Sequence, residues 1–92
     1  MSKLYVDMFK KPITKADVQL VIRVLMLKGM VQPMTIQRST KMGLQKVSVI
    51  IRLLEDADVI SIPGLNGRRS LYLRDESQAT NAALRQLRKG NS

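Results

Sequence analysis

The distribution of apolar residues along the chain first indicates a helix near the N-terminus. Apolar side chains fill almost every position from 18 to 27, and the few polar ones recur about one helical turn apart. Thr14 and Asp17 have the spacing of a capping box, and Gly29 suits the C-terminal end of a helix. The pattern therefore predicts a helix over residues 14–28 that is buried on nearly all sides.

Such a helix is difficult to bury in a chain of 92 residues, because a domain of this size encloses only a thin core. One interpretation is a central core helix in a monomer. The interpretation that we favour is a homodimer in which part of this helix packs against a second copy. The N-terminal arm (1–13) and the last helix (75–92) are alternative sources of the interface.

Two shorter helices are predicted next, separated by a tight turn at Gly43-Leu44. Pro33 suits the start of a new helix, and residues 35–42 form the second helix of the prediction. Residues 45–57 form the third, with four apolar side chains on one face: Val47, Ile50, Ile51 and Leu54.

The C-terminal third of the chain predicts a β-hairpin followed by a helix. Residues 59–62 and 70–73 are strand-like, and the Asn66-Gly67 pair between them is a strong turn signal. Asp75 suits the N-cap of a last helix that ends near residue 89. Because the apolar positions of this helix are sparse, it is a further candidate for dimerisation.

The composition narrows the possible functions. Sixteen Lys and Arg outnumber seven Asp and Glu, and the net charge of +9 favours a polyanionic partner. Because the chain contains neither Cys nor His, it cannot form the usual zinc sites or a His-based catalytic triad. We therefore expect no enzyme activity, no metal and no cofactor.

The apolar segments do not indicate a membrane protein. The N-terminal residues 1–11 are charged, unlike a signal peptide, and the longest apolar run is interrupted by Arg23. We expect a cytoplasmic, nucleoid-associated protein.

Acidic residues are unevenly distributed along the chain. No Asp or Glu occurs in residues 18–54 or 59–74, whereas basic residues occur in both stretches. Between them, the acids cluster in residues 55–58, at the C-terminal end of the predicted third helix. A DNA-binding face and a separate solvent-facing side would require such a division.

Three stretches resemble the winged helix-turn-helix family, in particular small DNA-binding regulators of the MarR and PadR kinds. Residues 42–44 look like the turn between the two helices, and residues 66–73 like the basic wing and its returning strand. Residues 54–60, Leu-Glu-Asp-Ala-Asp-Val-Ile, look like the end of the recognition helix and the start of the wing. Asp58 stands where the family usually has Gly, and Asp tolerates the left-handed conformation better than most residues.

The resemblance implies an α+β, mostly helical fold: a winged helix-turn-helix with a β-hairpin wing and a C-terminal helix. The whole chain, 1–92, would form a single domain. Its core would span 14–74, with the wing at 59–74, between the N-terminal arm and the last helix.

The docking mode of the family assigns two groups of DNA contacts. The third helix would enter the major groove N-terminus first, and its first exposed side chains would read base edges: Gln45, Lys46, Ser48, Val49 and Arg52. The second helix and the wing would hold backbone phosphates through Thr35, Gln37, Arg38, Lys41, Arg68 and Arg69.

The sequence thus predicts a homodimeric, sequence-specific double-stranded DNA-binding protein that acts as a transcriptional regulator or repressor. One alternative is a plasmid or viral partition protein, which binds centromere sites, spreads along DNA and works with a partner protein. RNA binding and a protein-interaction adaptor are further alternatives. RNA is disfavoured because the chain has only three aromatic residues, Tyr5, Phe9 and Tyr72, and Tyr72 is expected in the core.

Overall fold

The computed structural model of the protein describes Tyr5 and residues 13–29, 32–61, 71–73 and 75–91. Over these residues the protein is a small helical domain. Its elements, in chain order, are α1 (Lys15–Lys28), α2 (Pro33–Thr40), α3 (Leu44–Asp56) and α4 (Glu76–Asn91).

The predicted β-hairpin, and with it the α+β winged helix-turn-helix fold, is wrong. The described residues contain no β-strand. The described parts of the two predicted strands, residues 59–61 and 71–73, are joined by an isolated antiparallel bridge between Ile60 and Leu71, and the carbonyl of Val59 accepts from the amides of Tyr72 and Leu73 at 2.8 and 3.3 Å. Val59 and Ile60 are consecutive and both are buried, whereas a strand on a half-buried sheet alternates buried and exposed side chains. The β-branched side chains of both residues fill the hydrophobic core, so burial rather than strand pairing determines the conformation of these residues.

The backbone after α3 shows the same departure from a hairpin. The amides of Val59 and Ile60 both donate to the carbonyl of Leu54, at 2.9 and 3.4 Å, and so turn back onto the end of the helix. The predicted turn at Asn66-Gly67 lies outside the described residues, as do residues 1–4 and 6–12 of the predicted arm.

The ends of α1 are confirmed. The amide of Asp17 donates to Thr14 Oγ1 at 3.2 Å, and the amide of Thr14 donates to Asp17 Oδ2 at 3.1 Å, which completes the capping box. Gly29 ends the helix with a left-handed backbone (φ 69°), and its amide donates to the carbonyl of Leu25 at 2.8 Å.

Helix α1 occupies the centre of the domain and packs against the other three helices. Most of its apolar surface is therefore covered within one copy of the chain. The exceptions are Leu20 and Leu27, which are 39% and 81% exposed. These two residues lie seven positions apart, on the same side of the helix.

Helix α2 begins at Pro33, a residue that suits a helix start but lies two residues before the predicted Thr35, and it ends at Thr40, two residues before the predicted Met42. Lys41 adopts the left-handed conformation (φ 60°), and its amide closes the helix on the carbonyl of Gln37 at 2.7 Å. The turn therefore comprises residues 41–43 instead of Gly43-Leu44. It is followed by α3, whose predicted core face is buried.

At the end of α3 and the start of α4, the structure has the backbone conformation and the capping hydrogen bond that the sequence predicts. Asp58 after α3 has φ 60°, so the left-handed conformation expected at this position is confirmed. Asp75 Oδ1 accepts from the amide of Gln78 at 2.9 Å at the start of α4. Ala79 and Ala83 are fully buried, and small side chains allow α4 to approach its neighbours α1 and α3 closely.

Candidate nucleic-acid interface

Helices α2 and α3 form a compact pair joined by three residues, Lys41–Gly43. The two helices pack against each other, and the side chain of Ile36 in α2 is fully buried. Helix pairs with connections of this length and a glycine in the turn are common in proteins that place the second helix in the DNA major groove.

Three of the predicted base-reading residues share one exposed side of α3. Gln45, Ser48 and Arg52 recur at intervals of three and four residues, and all three are exposed. Val49 lies beside them, is half-buried and packs against the core. Less of the Val49 side chain is therefore exposed than the sequence prediction requires.

The hydroxyl of Ser48 already makes one hydrogen bond within its own helix. Ser48 Oγ donates to the carbonyl of Leu44 at 2.9 Å. Because a hydroxyl has one hydrogen, the oxygen then has only its acceptor capacity left for a ligand. In this rotamer Ser48 would accept from a base amino group and would not donate to a base acceptor.

Lys46 is predicted to read a base edge, but its ammonium group is paired with a carboxylate of the protein itself. Its Nζ lies 3.1 Å from Asp17 Oδ2 at the start of α1, and the side chains of Lys46 and Asp17 are 26% and 19% exposed. Burial opposes ionisation of Asp17, but the hydrogen bonds from Thr14 and from Lys46 together hold the pKa of this carboxyl below its usual value. The Asp17 carboxyl is therefore ionised at neutral pH.

The predicted phosphate-binding residues of α2 fall into two groups. Arg38 and Lys41 are exposed. Thr35 and Gln37 are half-buried, and Thr35 Oγ1 donates to Gln32 Oε1 at 3.2 Å. The remaining predicted phosphate contacts, Arg68 and Arg69, lie outside the described residues and stay predictions.

The N-termini of the four helices differ in charge. The first turns of α1 and α4 contain acidic residues, and Thr14 and Asp75 cap these helices through their side chains. By contrast, the N-cap residues of α2 and α3, Gln32 and Gly43, make no side-chain cap hydrogen bond, and neither helix has an acidic residue in its first turn. The positive ends of the α2 and α3 dipoles are therefore not neutralised by their own helices, which favours a nearby anion.

The acidic cluster lies at the opposite end of α3. Glu55 and Asp56 are the last two residues of this 13-residue helix and Asp58 follows it, about 20 Å from the helix N-terminus. Asp56 accepts a hydrogen bond from the hydroxyl of Tyr5, which also accepts from Gln86 Nε2 of α4 at 3.1 Å. The Asp56 carboxylate is thus directed toward Tyr5 and the Gln86 side chain of α4, one helical turn after Arg52.

Sequence reasoning missed two contacts and misplaced one residue. The pairs Asp17–Lys46 and Tyr5–Asp56 join residues far apart in the chain, so no local spacing could have revealed them. Tyr72 was expected in the core of a strand pair, but it is 61% exposed because the strand pair does not form.

Other kinds of site have little support in the part of the chain that the structure describes. An open polar cleft of about 380 Å³ lies between α1 and α4, lined by Lys15, Gln19, Glu76, Ser77, Thr80 and Asn81. It contains none of the predicted DNA-binding residues. In the described ranges, no group of three or more Asp and Glu residues could hold a metal ion, and no helix is long and apolar enough to span a bilayer.

No protein-family model, curated protein or solved structure matches the chain.

Proposed function

We propose that this protein binds double-stranded DNA through a recognition face formed by α2, residues 41–43 and the exposed side of α3. The observation that carries the proposal is the distribution of charge over this helix pair. Arg38, Lys41 and Arg52 are exposed on it, and acidic residues are absent until Glu55 near the end of α3. Arg38 and Lys41 lie at the C-terminal end of α2, close in the chain to the uncapped N-terminus of α3, and this combination is suited to binding phosphates.

In this proposal α3 lies in the major groove. A groove about 12 Å wide admits one α-helix, and Gln45, Ser48 and Arg52 would then face the base edges. Gln45 can pair with adenine, and Arg52 with guanine or with a phosphate. Arg38 and Lys41 would hold the flanking phosphates, which fix the position of the protein without specifying sequence.

The proposal includes a homodimer, located on the nucleoid in the cytoplasm. Its support is the exposure of Leu20 and Leu27 on one side of α1, which a second copy related by a twofold axis would cover. Two copies would present two α3 helices to successive major grooves, and the binding site would then be close to palindromic.

Charge-matched variants test the recognition face. We expect the triple substitution R38Q/K41Q/R52Q to weaken binding to random duplex DNA and to reduce the salt slope by about 2.7 per protomer, or about 0.9 for each lost phosphate contact. The control K15Q/R85Q/R88Q removes the same charge from exposed positions of α1 and α4. A control that loses as much affinity as the triple variant would overturn the proposed face.

A footprint on DNA surrounding the protein's own gene tests the biological role. A symmetric footprint of about 20 base pairs would assign the protein to operator binding, as a transcriptional regulator or repressor. A long continuous footprint would instead assign it to partition, in which many dimers spread along DNA and engage a partner protein.

A further inference from the structure

The ion pair between Asp17 and Lys46 joins the first turn of α1 to the first turn of α3. Lys46 is the first basic residue of α3, and it lies at the positive end of the helix dipole, where a cation is unfavourable. The carboxylate of Asp17, 3.1 Å from Lys46 Nζ, offsets the charge of this ammonium group.

Asp17 is held in position independently of Lys46. Its Oδ2 accepts from the backbone amide of Thr14 at 3.1 Å, and its own amide donates to Thr14 Oγ1 at 3.2 Å. The same oxygen that faces Lys46 is thus fixed by the capping box of α1. A DNA phosphate that binds Lys46 must therefore displace it from a preorganised carboxylate.

We propose that Asp17 is a selectivity residue for DNA, because it competes with phosphate for the ammonium group of Lys46 and so weakens non-specific binding. This inference rests on the proposed function. On random duplex, Lys46 stays paired with Asp17 and releases no counterion from the DNA. At a preferred site, a guanine at the right position accepts from Lys46 and replaces the carboxylate.

Removing the carboxylate should therefore increase non-specific affinity. We expect D17N to bind random duplex DNA about three- to tenfold more tightly at about 100 mM salt, with a salt slope more negative by about 0.9 per protomer. The Asn side chain still has an oxygen that can accept from the Thr14 amide, which preserves the cap.

The second interhelical ion pair provides a matched control. Arg23 Nε lies 3.1 Å from Glu76 Oε1, joining α1 to α4, and this pair is more exposed than Asp17–Lys46. The substitution E76Q also removes one negative charge and one interhelical ion pair, but it releases a cation outside the recognition face. We expect E76Q to change affinity less than twofold.

Two further measurements test the inference, and the second does not use D17N, so it still applies if that variant unfolds. In a double-mutant cycle, the gain from D17N should vanish in a K46Q background. In the otherwise unchanged protein, K46Q should reduce the salt slope on random duplex by much less than R52Q. The inference would be overturned if D17N and E76Q changed DNA affinity equally, or if the gain in affinity from D17N persisted in the K46Q background. It would also be overturned if K46Q and R52Q reduced the salt slope equally. Failure of the unsubstituted protein to bind duplex would instead overturn the proposed function.

Discussion

Tyr5 donates its phenolic hydrogen to the carboxylate of Asp56, at the last residue of α3. The ring is fully buried, and its oxygen also accepts from Gln86 of α4. One side chain from the N-terminal segment thereby joins the C-terminal halves of two helices. It contacts the last residue of α3, one helical turn after Arg52, and its role is to fix this end of the helix in the domain.

We expect Y5F to lower the free energy of unfolding by about 1–2 kcal/mol, because the hydroxyl of a buried ring loses its hydrogen bonds with the Asp56 carboxylate and with Gln86. Urea denaturation measures this change. Y72F is the matched control, since the Tyr72 side chain is exposed, and it should change stability by less than about 0.5 kcal/mol. Equal effects of the two substitutions would contradict the role assigned to Tyr5.

The same contact predicts a loss of stability at high pH. Burial and then the hydrogen bond to Asp56 raise the pKa of Tyr5 above its ordinary value of about 10. A pKa raised in the folded state contributes stability that is complete below about pH 10 and is lost as the pH rises through the folded-state pKa. Thermal unfolding between pH 8 and 12 should therefore show a steeper decline for the unsubstituted protein than for Y5F.

At low pH the relevant group is Asp17. Although burial opposes its ionisation, hydrogen bonds from Thr14 and Lys46 lower its pKa in the folded state. Its contribution to stability is therefore present above the unfolded-state pKa of about 4, and it is lost as the pH falls through the lower folded-state value. The difference in unfolding free energy between D17N and the unsubstituted protein should shrink over that interval, and a constant difference would contradict the assignment.

Glycine substitutions at Lys41 and Asp58 separate the effect of backbone strain on stability from the effect of the side chain on DNA binding. Both have φ 60°, a conformation that glycine adopts without a steric cost. We expect K41G to stabilise the fold by about 0.5–1 kcal/mol and yet weaken DNA binding, because it removes a proposed phosphate contact. D58G should not weaken binding, since Asp58 lies outside the recognition face. Undiminished DNA affinity in K41G would remove Lys41 from the proposed interface.

The exposed side chain of Leu27 tests the homodimer. We expect L27E to leave the helical content unchanged but to convert a dimer to a monomer in sedimentation, with a loss of DNA affinity at nanomolar protein. S77E adds the same charge at an exposed position of α4 and should remain dimeric. An unsubstituted protein that sediments at about 10 kDa at micromolar concentration would contradict the dimer.

The four helices were predictable because their signals are local. The capping box at Thr14, Pro33 at the start of α2 and the buried face of α3 each depend on residues within one or two turns. The hairpin was not predictable in this way, because strand-like composition at 59–62 and 70–73 does not by itself provide a pairing partner. In the structure, Val59 and Ile60 are buried by the neighbouring helices, and this tertiary burial outweighs their β propensity.

The candidate site was predictable in part. The sequence alone shows the acid-free stretch and the polar side of α3, and these place Gln45, Ser48 and Arg52 on the exposed surface. The pairing of Lys46 with Asp17 depends on how α1 packs against α3, which no spacing within the chain encodes. Tertiary packing therefore changes the expected role of a residue even where its helix is predicted correctly.

The most direct test of the account is a salt-titrated binding isotherm of the unsubstituted protein on random duplex DNA, with single-stranded RNA of equal length measured alongside. We predict binding to the duplex at about 100 mM salt, a logarithmic salt slope of several units per dimer, and weaker binding to RNA. No binding to the duplex at that salt concentration, or tighter binding to RNA, would contradict the central claim.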